Sequence, residues 1–143
     1  MPEVREGGCL CGAIRYRVHG KPQRVTACHC TFCQRRTGSA FSIHVLYDAK
    51  DFDLSGSGLA TYEQRSAQSN DLLRLHFCSR CSTTVMLINE KHPNLRLITA
   101  GTLDDPNSVK IGSHTWVQSA QHWMIFAEDV TRFDAAFSRG TTK

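Results

Sequence analysis

The stretch Cys28-His29-Cys30-Thr31-Phe32-Cys33 places three cysteines within six residues, and the rest of the sequence is interpreted from it. One pair of cysteines lies upstream in Cys9-Leu10-Cys11, and another pair lies downstream in Cys78-Ser79-Arg80-Cys81. These segments hold all seven cysteines of the chain. Cysteines that act as small buried hydrophobes carry no such spacing, and a redox pair needs only two thiols. The clustering therefore favours metal ligands.

Zinc accounts for both spacings. A tetrahedral zinc ion with Zn–S bonds near ~2.3 Å needs its sulfur atoms roughly 3.8 Å apart. Residues two apart on a strand share one face with α-carbons about 6.6 Å apart, so each Cys-x-Cys pair can converge on one ion. A Cys-x-x-Cys pair reaches the same separation through a tight turn whose backbone N–H groups point at the sulfurs.

Seven thiolates cannot all bind one tetrahedral ion, so the simplest partition is four plus three. Cys28, Cys30 and Cys33 are close enough in sequence to bind one metal without a distant partner. The remaining cysteines then form a second site across the chain: Cys9, Cys11, Cys78 and Cys81. A zinc ion with four thiolates is closed and structural, whereas one with three keeps a position for water or substrate, as catalytic sites do.

Composition predicts a single domain over residues 1–143, since 41% of the residues are hydrophobic and 21% are charged. No apolar run is long enough to span a bilayer, and the first residues are polar, so we expect a cytoplasmic protein with no membrane partner. The formal charge of +4 falls to about +1 once seven thiolates and two Zn²⁺ are counted. A nucleic-acid partner is therefore not favoured.

The periodicity is mostly that of strands. Apolar residues alternate with polar ones over residues 14–18, 41–45 and 73–77, and each segment predicts a strand with one buried face. Apolar runs over residues 84–88, 95–99 and 123–127 have strand length and end at turn-forming residues. Only residues 31–37 and the tail after Asp129 are interpreted as short helices. The sequence therefore predicts a mainly β fold with little helix.

Five motifs of the sequence are specific in combination: Gly7 to Tyr16, Cys28 to Phe41, Phe77 to Cys81, Gly101 to Pro106 and His114-Thr115-Trp116. Together they resemble the glutathione-dependent formaldehyde-activating enzyme family, whose domain also occurs in centromere protein V. The resemblance implies antiparallel sheets in a β-tent type fold, two zinc ions and carbon–sulfur lyase activity. It also implies that Cys28, Cys30 and Cys33 are catalytic and that the other four cysteines are structural.

One departure from the family pattern concerns the residue after the Cys-x-x-Cys motif. The family usually has glycine there, which suits a backbone with positive φ, whereas this chain has Ser82. A second departure is the stretch 117–123, where the family often has a charged residue before the second tryptophan. We expect altered local geometry at the first position and an effect on substrate choice at the second.

A zinc-activated thiolate is the mechanism that the ligand set favours. A free thiol has a pKa near ~8.5, and binding to the open position of a zinc ion deprotonates it. The substrate would be a thiol–aldehyde adduct such as S-(hydroxymethyl)glutathione, and Arg35, Arg36 and Ser39 are candidates to bind the glutathione carboxylates. His29 is expected to point away from the metal, and His114, Trp116 and Trp123 to wall a cleft or to lie in the core.

Two alternative functions would require sequence features that this chain does not show. A non-catalytic zinc module that binds protein or nucleic acid would show a basic stripe with interleaved aromatic residues, and the Lys and Arg residues here are scattered. A zinc hydrolase would place a carboxylate base near the metal, and none stands close in sequence to the Cys28–Cys33 stretch. The oligomeric state is left open by the sequence.

Overall fold

The computed structural model describes residues 3–139, which form two β-sheets and one short α-helix. The helix α1 spans Thr31–Thr37. The strands are β1 Val4–Gly8, β2 Ile14–His19, β3 Arg24–Cys28, β4 Ser42–Asp48, β5 Phe52–Gly56, β6 Leu59–Arg65, β7 Leu72–Cys78, β8 Thr84–Asn89, β9 Leu95–Thr99, β10 Ser113–Thr115 and β11 Thr131–Arg132. The fold is therefore mainly β, as the sequence predicts.

The strands are arranged in a small sheet and a large one. The small sheet has the order β1-β2-β5 and is antiparallel throughout. The large sheet has the order β11-β10-β3-β4-β9-β8-β7-β6. Its pairs are antiparallel except at one end, where β10 runs parallel to both β3 and β11. The expectation of antiparallel sheets is thus confirmed for most of the fold and incomplete at that end.

The hydrophobic core lies between the two sheets. Strand β2 buries Ile14, Tyr16 and Val18 on one face, while the arginines between them face outward. These side chains belong to one cluster with residues of the large sheet such as Val45 and Ile98, both fully buried. Since side chains alternate along a strand, the opposite face of the large sheet is free to form a site.

Strand β4 is buried on both faces, which the sequence did not predict. Ile43 and Val45 were expected to be covered and the polar residues between them to face solvent. Instead Ser42 and His44 are only 6% and 4% exposed. The polar face of this strand is thus turned toward an interior cavity and not toward bulk water.

Two secondary-structure predictions near the C-terminus are wrong. The run 123–127 forms no strand, and three of its residues, Trp123, Ile125 and Ala127, are exposed, with Ile125 at 89%. The segment after Asp129 is not helical, because its backbone bonds to the edge of the large sheet, as in the bonds from Phe133 N–H to His114 C=O and from Trp116 N–H to Ala135 C=O. The helix predicted over residues 31–37 is confirmed with those bounds.

Within the part of the chain that the structure covers, no helix has the length and apolar character needed to cross a membrane.

Candidate metal centres and active site

The four cysteines that the sequence groups across the chain meet at one point. One sulfur from each of Cys9, Cys11, Cys78 and Cys81 lies within 4.8 Å of the others. The Sγ atoms of Cys9 and Cys11 are 3.7 Å apart, as are those of Cys11 and Cys78. This separation matches the roughly 3.8 Å expected between thiolates on one zinc ion. We call this group the four-cysteine site.

Two tight turns build the four-cysteine site. The first joins β1 to β2, and its Ile14 N–H donates to Cys9 Sγ at 3.2 Å. The second follows β7, and its Arg80 N–H donates to Cys78 Sγ at 3.4 Å. A bond from Leu10 N–H to Thr83 Oγ1 links the two turns. The Cys9–Cys11 pair was expected on a strand, but it lies in a turn, which brings its sulfurs closer than a strand would.

Hydrogen bonds also tune the exposed side of this site. The hydroxyl and N–H of Thr83 lower the pKa of Cys81 to about 5. Ser82, between these residues, has a φ of 67°, which is the left-handed conformation that the glycine of the family pattern suits. The departure at Ser82 therefore leaves the turn geometry intact.

Cys28, Cys30 and Cys33 form a second sulfur cluster, the cysteine triad. Cys28 ends β3, Cys30 caps the N-terminus of α1, and Cys33 lies in the first turn of the helix. Their sulfurs lie within 4.8 Å of one another. Cys33 N–H donates to Cys30 Sγ at 3.3 Å, so the helix start repeats the N–H···S pattern of the other site.

Hydrogen bonds among the three thiols of the triad shift their pKa values in opposite directions. Hydrogen bonds from Cys30 and Cys33 lower the pKa of Cys28 far below its usual value. The same bond from Cys28 raises the pKa of Cys30 to about 11, and the pKa of Cys33 is raised as well. A cation bound here would favour three thiolates, since metal ligation requires deprotonated sulfur.

The donor sets of both clusters fit zinc. Each consists only of sulfur, the ligand type that zinc accepts in structural and catalytic sites. Among residues 3–139, no histidine, further cysteine or carboxylate joins the triad to complete a set of four. The four-cysteine site would thus be closed and the triad would be left with an open position.

The triad opens into a cavity of about 510 Å³, here called the triad cavity. All three cysteines line it, together with His44 and Trp116. Its walls come from the face of the large sheet opposite to the core and from the segments 66–71 and 136–139. An open metal position at the triad would therefore face a partly open cavity of substrate size.

His44 was not identified as a site residue from the sequence. Arg36 donates to its Nε2 at 3.0 Å, and Ser42 Oγ lies 3.0 Å from the same atom. Burial and the nearby Arg36 charge lower the pKa of His44 to about 4, so the ring is neutral at pH 7. Because Nε2 accepts a hydrogen bond, the ring hydrogen is assigned to Nδ1. The sequence feature that could have identified His44 is that Ser42 and His44 alternate with apolar residues and therefore share one face of β4.

His29 and His114 are core residues. His29 is fully buried, its Nε2 is 2.9 Å from Nδ1 of His114, and its ring packs against Phe41 and Phe126. This confirms that His29 points away from the sulfur cluster. Of the two tryptophans, Trp116 lines the triad cavity, whereas Trp123 is 66% exposed and lines a shallow depression elsewhere.

The residues proposed for carboxylate binding lie outside the triad cavity. Arg35 and Ser39 line the depression beside Trp123, which contains none of the cysteines. Arg36 reaches inward, but its guanidinium bonds to Ser42 and His44. A role of these three residues in binding substrate stays a prediction.

The sequence profile of the glutathione-dependent formaldehyde-activating enzyme family matches residues 4–119, which include both cysteine clusters. The chain belongs to this family. The family match covers strands from both sheets as well as α1, so it extends over most of the fold. It also covers every residue that the sequence singled out as a metal ligand.

Similar proteins include a curated relative and a protein of known structure. A Halomonas elongata protein whose name places it among glutathione-dependent formaldehyde-activating enzymes is 30% identical over 104 residues. The match covers 69% of this chain and 65% of the relative, which is slightly less than two thirds of its length. A crystal structure of a Rhodobacter sphaeroides protein aligns with a TM-score of 0.57 at 19% identity, covering 74% of this chain and 96% of the other. This second likeness concerns the fold alone.

Proposed function

We propose that the chain is a zinc-dependent carbon–sulfur lyase that acts on a thiol–aldehyde adduct such as S-(hydroxymethyl)glutathione. The observation that carries this proposal is the cysteine triad, three sulfurs with no fourth ligand among residues 3–139, at the wall of a partly open cavity. Family membership supports glutathione and formaldehyde as the thiol and the aldehyde. The whole of residues 1–143 would act as one domain in the reducing cytoplasm, where free thiols persist.

Two zinc ions would be bound, one by the four-cysteine site and one by the triad. The ion at the triad would supply an open position that holds the substrate sulfur as a thiolate at neutral pH. Cys28, Cys30 and Cys33 would bring a net charge of −1 to that site, so it favours holding sulfur over generating hydroxide. The four-cysteine site would be structural, because its turns join the small sheet to the large one.

The proposed reaction breaks or forms one carbon–sulfur bond. In adduct breakdown the carbon–sulfur bond breaks with its electron pair on sulfur, the hydroxyl proton passes to solvent water, and the electron pair left on oxygen forms the carbonyl. In the reverse direction the sulfur adds to the aldehyde carbon and negative charge grows on oxygen. His44 would donate a hydrogen bond from Nδ1 to that oxygen, since the residue lines the cavity and its Nε2 is bonded to Arg36.

The hydrolase alternative lacks a carboxylate base. Asp71 is the acidic residue among those lining the triad cavity. Its carboxylate already accepts bonds from Lys91 and from Asn89. A carboxylate engaged in this way is a poor base for activating water, so the lyase is favoured.

The variant Cys30→Ser tests the proposed function. It removes one thiolate of the triad and should abolish both the breakdown and the formation of S-(hydroxymethyl)glutathione, measured by NMR of the adduct methylene group. Zinc content should fall by one ion per chain, because the four-cysteine site is untouched. Full activity in Cys30→Ser, or loss of both ions with retained activity, would refute the proposal.

A further inference from the structure

Beyond the triad, the triad cavity has an apolar floor. Strand register places Leu46 of β4 opposite Leu97 of β9, and Leu97 opposite Leu87 of β8. Residues opposite one another share a sheet face, so the three leucines form a row across the sheet. Leu73 and Leu95 also line the cavity. Leu46 and Leu87 are only 3% and 1% exposed, so the apolar surface open to a ligand comes from the partly exposed Leu73, Leu95 and Leu97. One carbon of formaldehyde would cover little of it.

Arg24 stands at the other end of the floor. It lies four residues before Cys28 on β3, hence on the same sheet face and about 13 Å away along the strand. Its register partner is Leu46, the first leucine of the row. Both Arg24 and Arg139 line the triad cavity. The cavity therefore runs from sulfur at one end, over leucines, to guanidinium groups at the other.

The Arg24 guanidinium has no anionic partner. It lies over the Phe137 ring at 3.6 Å, its Nε is buried without a hydrogen-bond partner, and none of the ion pairs among residues 3–139 includes it. Burial lowers its pKa, and the charge of Arg139 lowers it further. The cavity's own carboxylate, Asp71, is engaged by Lys91. Arg24 is half-buried, so its guanidinium is partly removed from water without a negative charge to compensate, and an anion bound there would offset that cost.

We propose that Arg24 and Arg139 form a carboxylate subsite, and that the substrate of the triad carries a carboxylate joined to its reactive carbon–sulfur end by an apolar chain lying on the leucine floor. This inference rests on the proposed function for the position of the reactive end. The carboxylate itself belongs to the subsite whichever reaction the triad catalyses. A planar guanidinium suits it because it binds both carboxylate oxygens at once.

Straight-chain alkanoates without sulfur test the subsite apart from the chemistry. Binding of butanoate, pentanoate and hexanoate to the zinc-loaded protein is measured by tryptophan fluorescence, since Trp116 lines the cavity. Affinity should rise about fourfold with each added methylene as the chain covers the floor. Hexanol should bind at least about tenfold more weakly than hexanoate, because it lacks the charge. Equal binding of hexanol and hexanoate, or no dependence on length, would overturn the proposal.

The variant Arg24→Met assigns the effect to one residue. It keeps an apolar stem of similar length but should weaken hexanoate binding about tenfold or more. Arg24→Lys, which keeps the charge without the fork, should lose only part of the affinity. Arg17→Met is the matched control, since Arg17 pairs with Glu6 on the small sheet. Unchanged binding in Arg24→Met, or a loss caused by Arg35→Met in its place, would contradict the assignment.

Two further outcomes separate this inference from the proposed function. Suppose that Arg24→Met no longer binds hexanoate and that neither the unmodified protein nor any variant cleaves S-(hydroxymethyl)glutathione. The subsite would then stand, and the lyase assignment would fail. If the lyase is active and hexanoate binding is independent of Arg24, the reverse holds. Competition between hexanoate and glutathione would place the carboxylate on the thiol, whereas simultaneous binding would place it on the aldehyde part.

Discussion

Ser82 follows the last cysteine of the four-cysteine site with a φ of 67°, a conformation that L-residues with a Cβ disfavour. Ser82→Gly should therefore raise the free energy of unfolding of the zinc-loaded protein by about 1 kcal/mol. Urea denaturation measures the change. Ser79→Gly is the matched control in the same turn, since Ser79 has a negative φ, and it should destabilise the protein. A Ser82→Gly variant that is less stable would contradict this account.

His44 gives a second test at the residue scale. His44→Gln can keep an acceptor near Nε2 for Arg36 while removing the Nδ1 donor, so zinc content should be unchanged and the rate of adduct formation should fall about a hundredfold. His44→Asn, which can place an N–H near Nδ1, should recover part of that rate. A His44→Gln enzyme with a normal rate, or one that has lost zinc, would remove His44 from the mechanism.

Functional residues could be predicted from the sequence where their role depends on spacing along the chain. They could not be predicted where their role depends on how the strands are arranged in the fold. The two sulfur groups follow from the spacing of the cysteines, and the same groups meet in the structure. His44 and Arg24 enter the triad cavity only because β4 and β3 lie side by side with one face turned away from the core. The alternation of side chains along a strand predicts which residues share a sheet face. It does not predict which face is covered by the rest of the protein.

At the scale of elements, Gly56 determines how closely β5 approaches β2. It has a φ of 99°, and an added Cβ would lie 2.0 Å from the Ala13 carbonyl oxygen. Gly56→Ala should therefore destabilise the protein by several kcal/mol, through both backbone strain and a backbone clash. Urea denaturation with the zinc ions bound is the measurement.

The control for this prediction is Gly20→Ala. Gly20 has a φ of 81°, but an added Cβ there meets nothing within 4 Å. Its cost should be limited to the conformational strain of about 1–2 kcal/mol. If both variants lose the same stability, close packing of β5 on β2 is not what Gly56 provides.

Elements with strong local signals were predictable, and elements held by distant pairing were not. Helix α1 follows its local sequence, with Cys30 at its N-cap and Gly38 in the left-handed conformation at its C-cap. The run 123–127 has the apolar content of a strand but finds no partner strand. The pair β10–β11 is short and parallel, and it exists because the C-terminal segment docks on β3 through β10.

At the scale of the whole molecule, the two sulfur clusters have different positions, and we propose different tasks for them. The four-cysteine site lies where turns of the small and large sheets meet, so a metal ion there would join the two halves of the core. The triad lies on the far face of the large sheet, where its loss would leave that junction intact. The proposed function therefore requires one closed metal site and one open metal site in the same chain.

Cobalt(II) substitution followed by titration with glutathione tests this claim most directly, because the ligand-field absorption of cobalt reports each change in its ligands. We expect a spectral change that saturates at one thiol per chain, since the triad would offer the vacant position. The change should be absent from Cys30→Ser. Spectra that do not change with glutathione, or that change equally in Cys30→Ser, would contradict it.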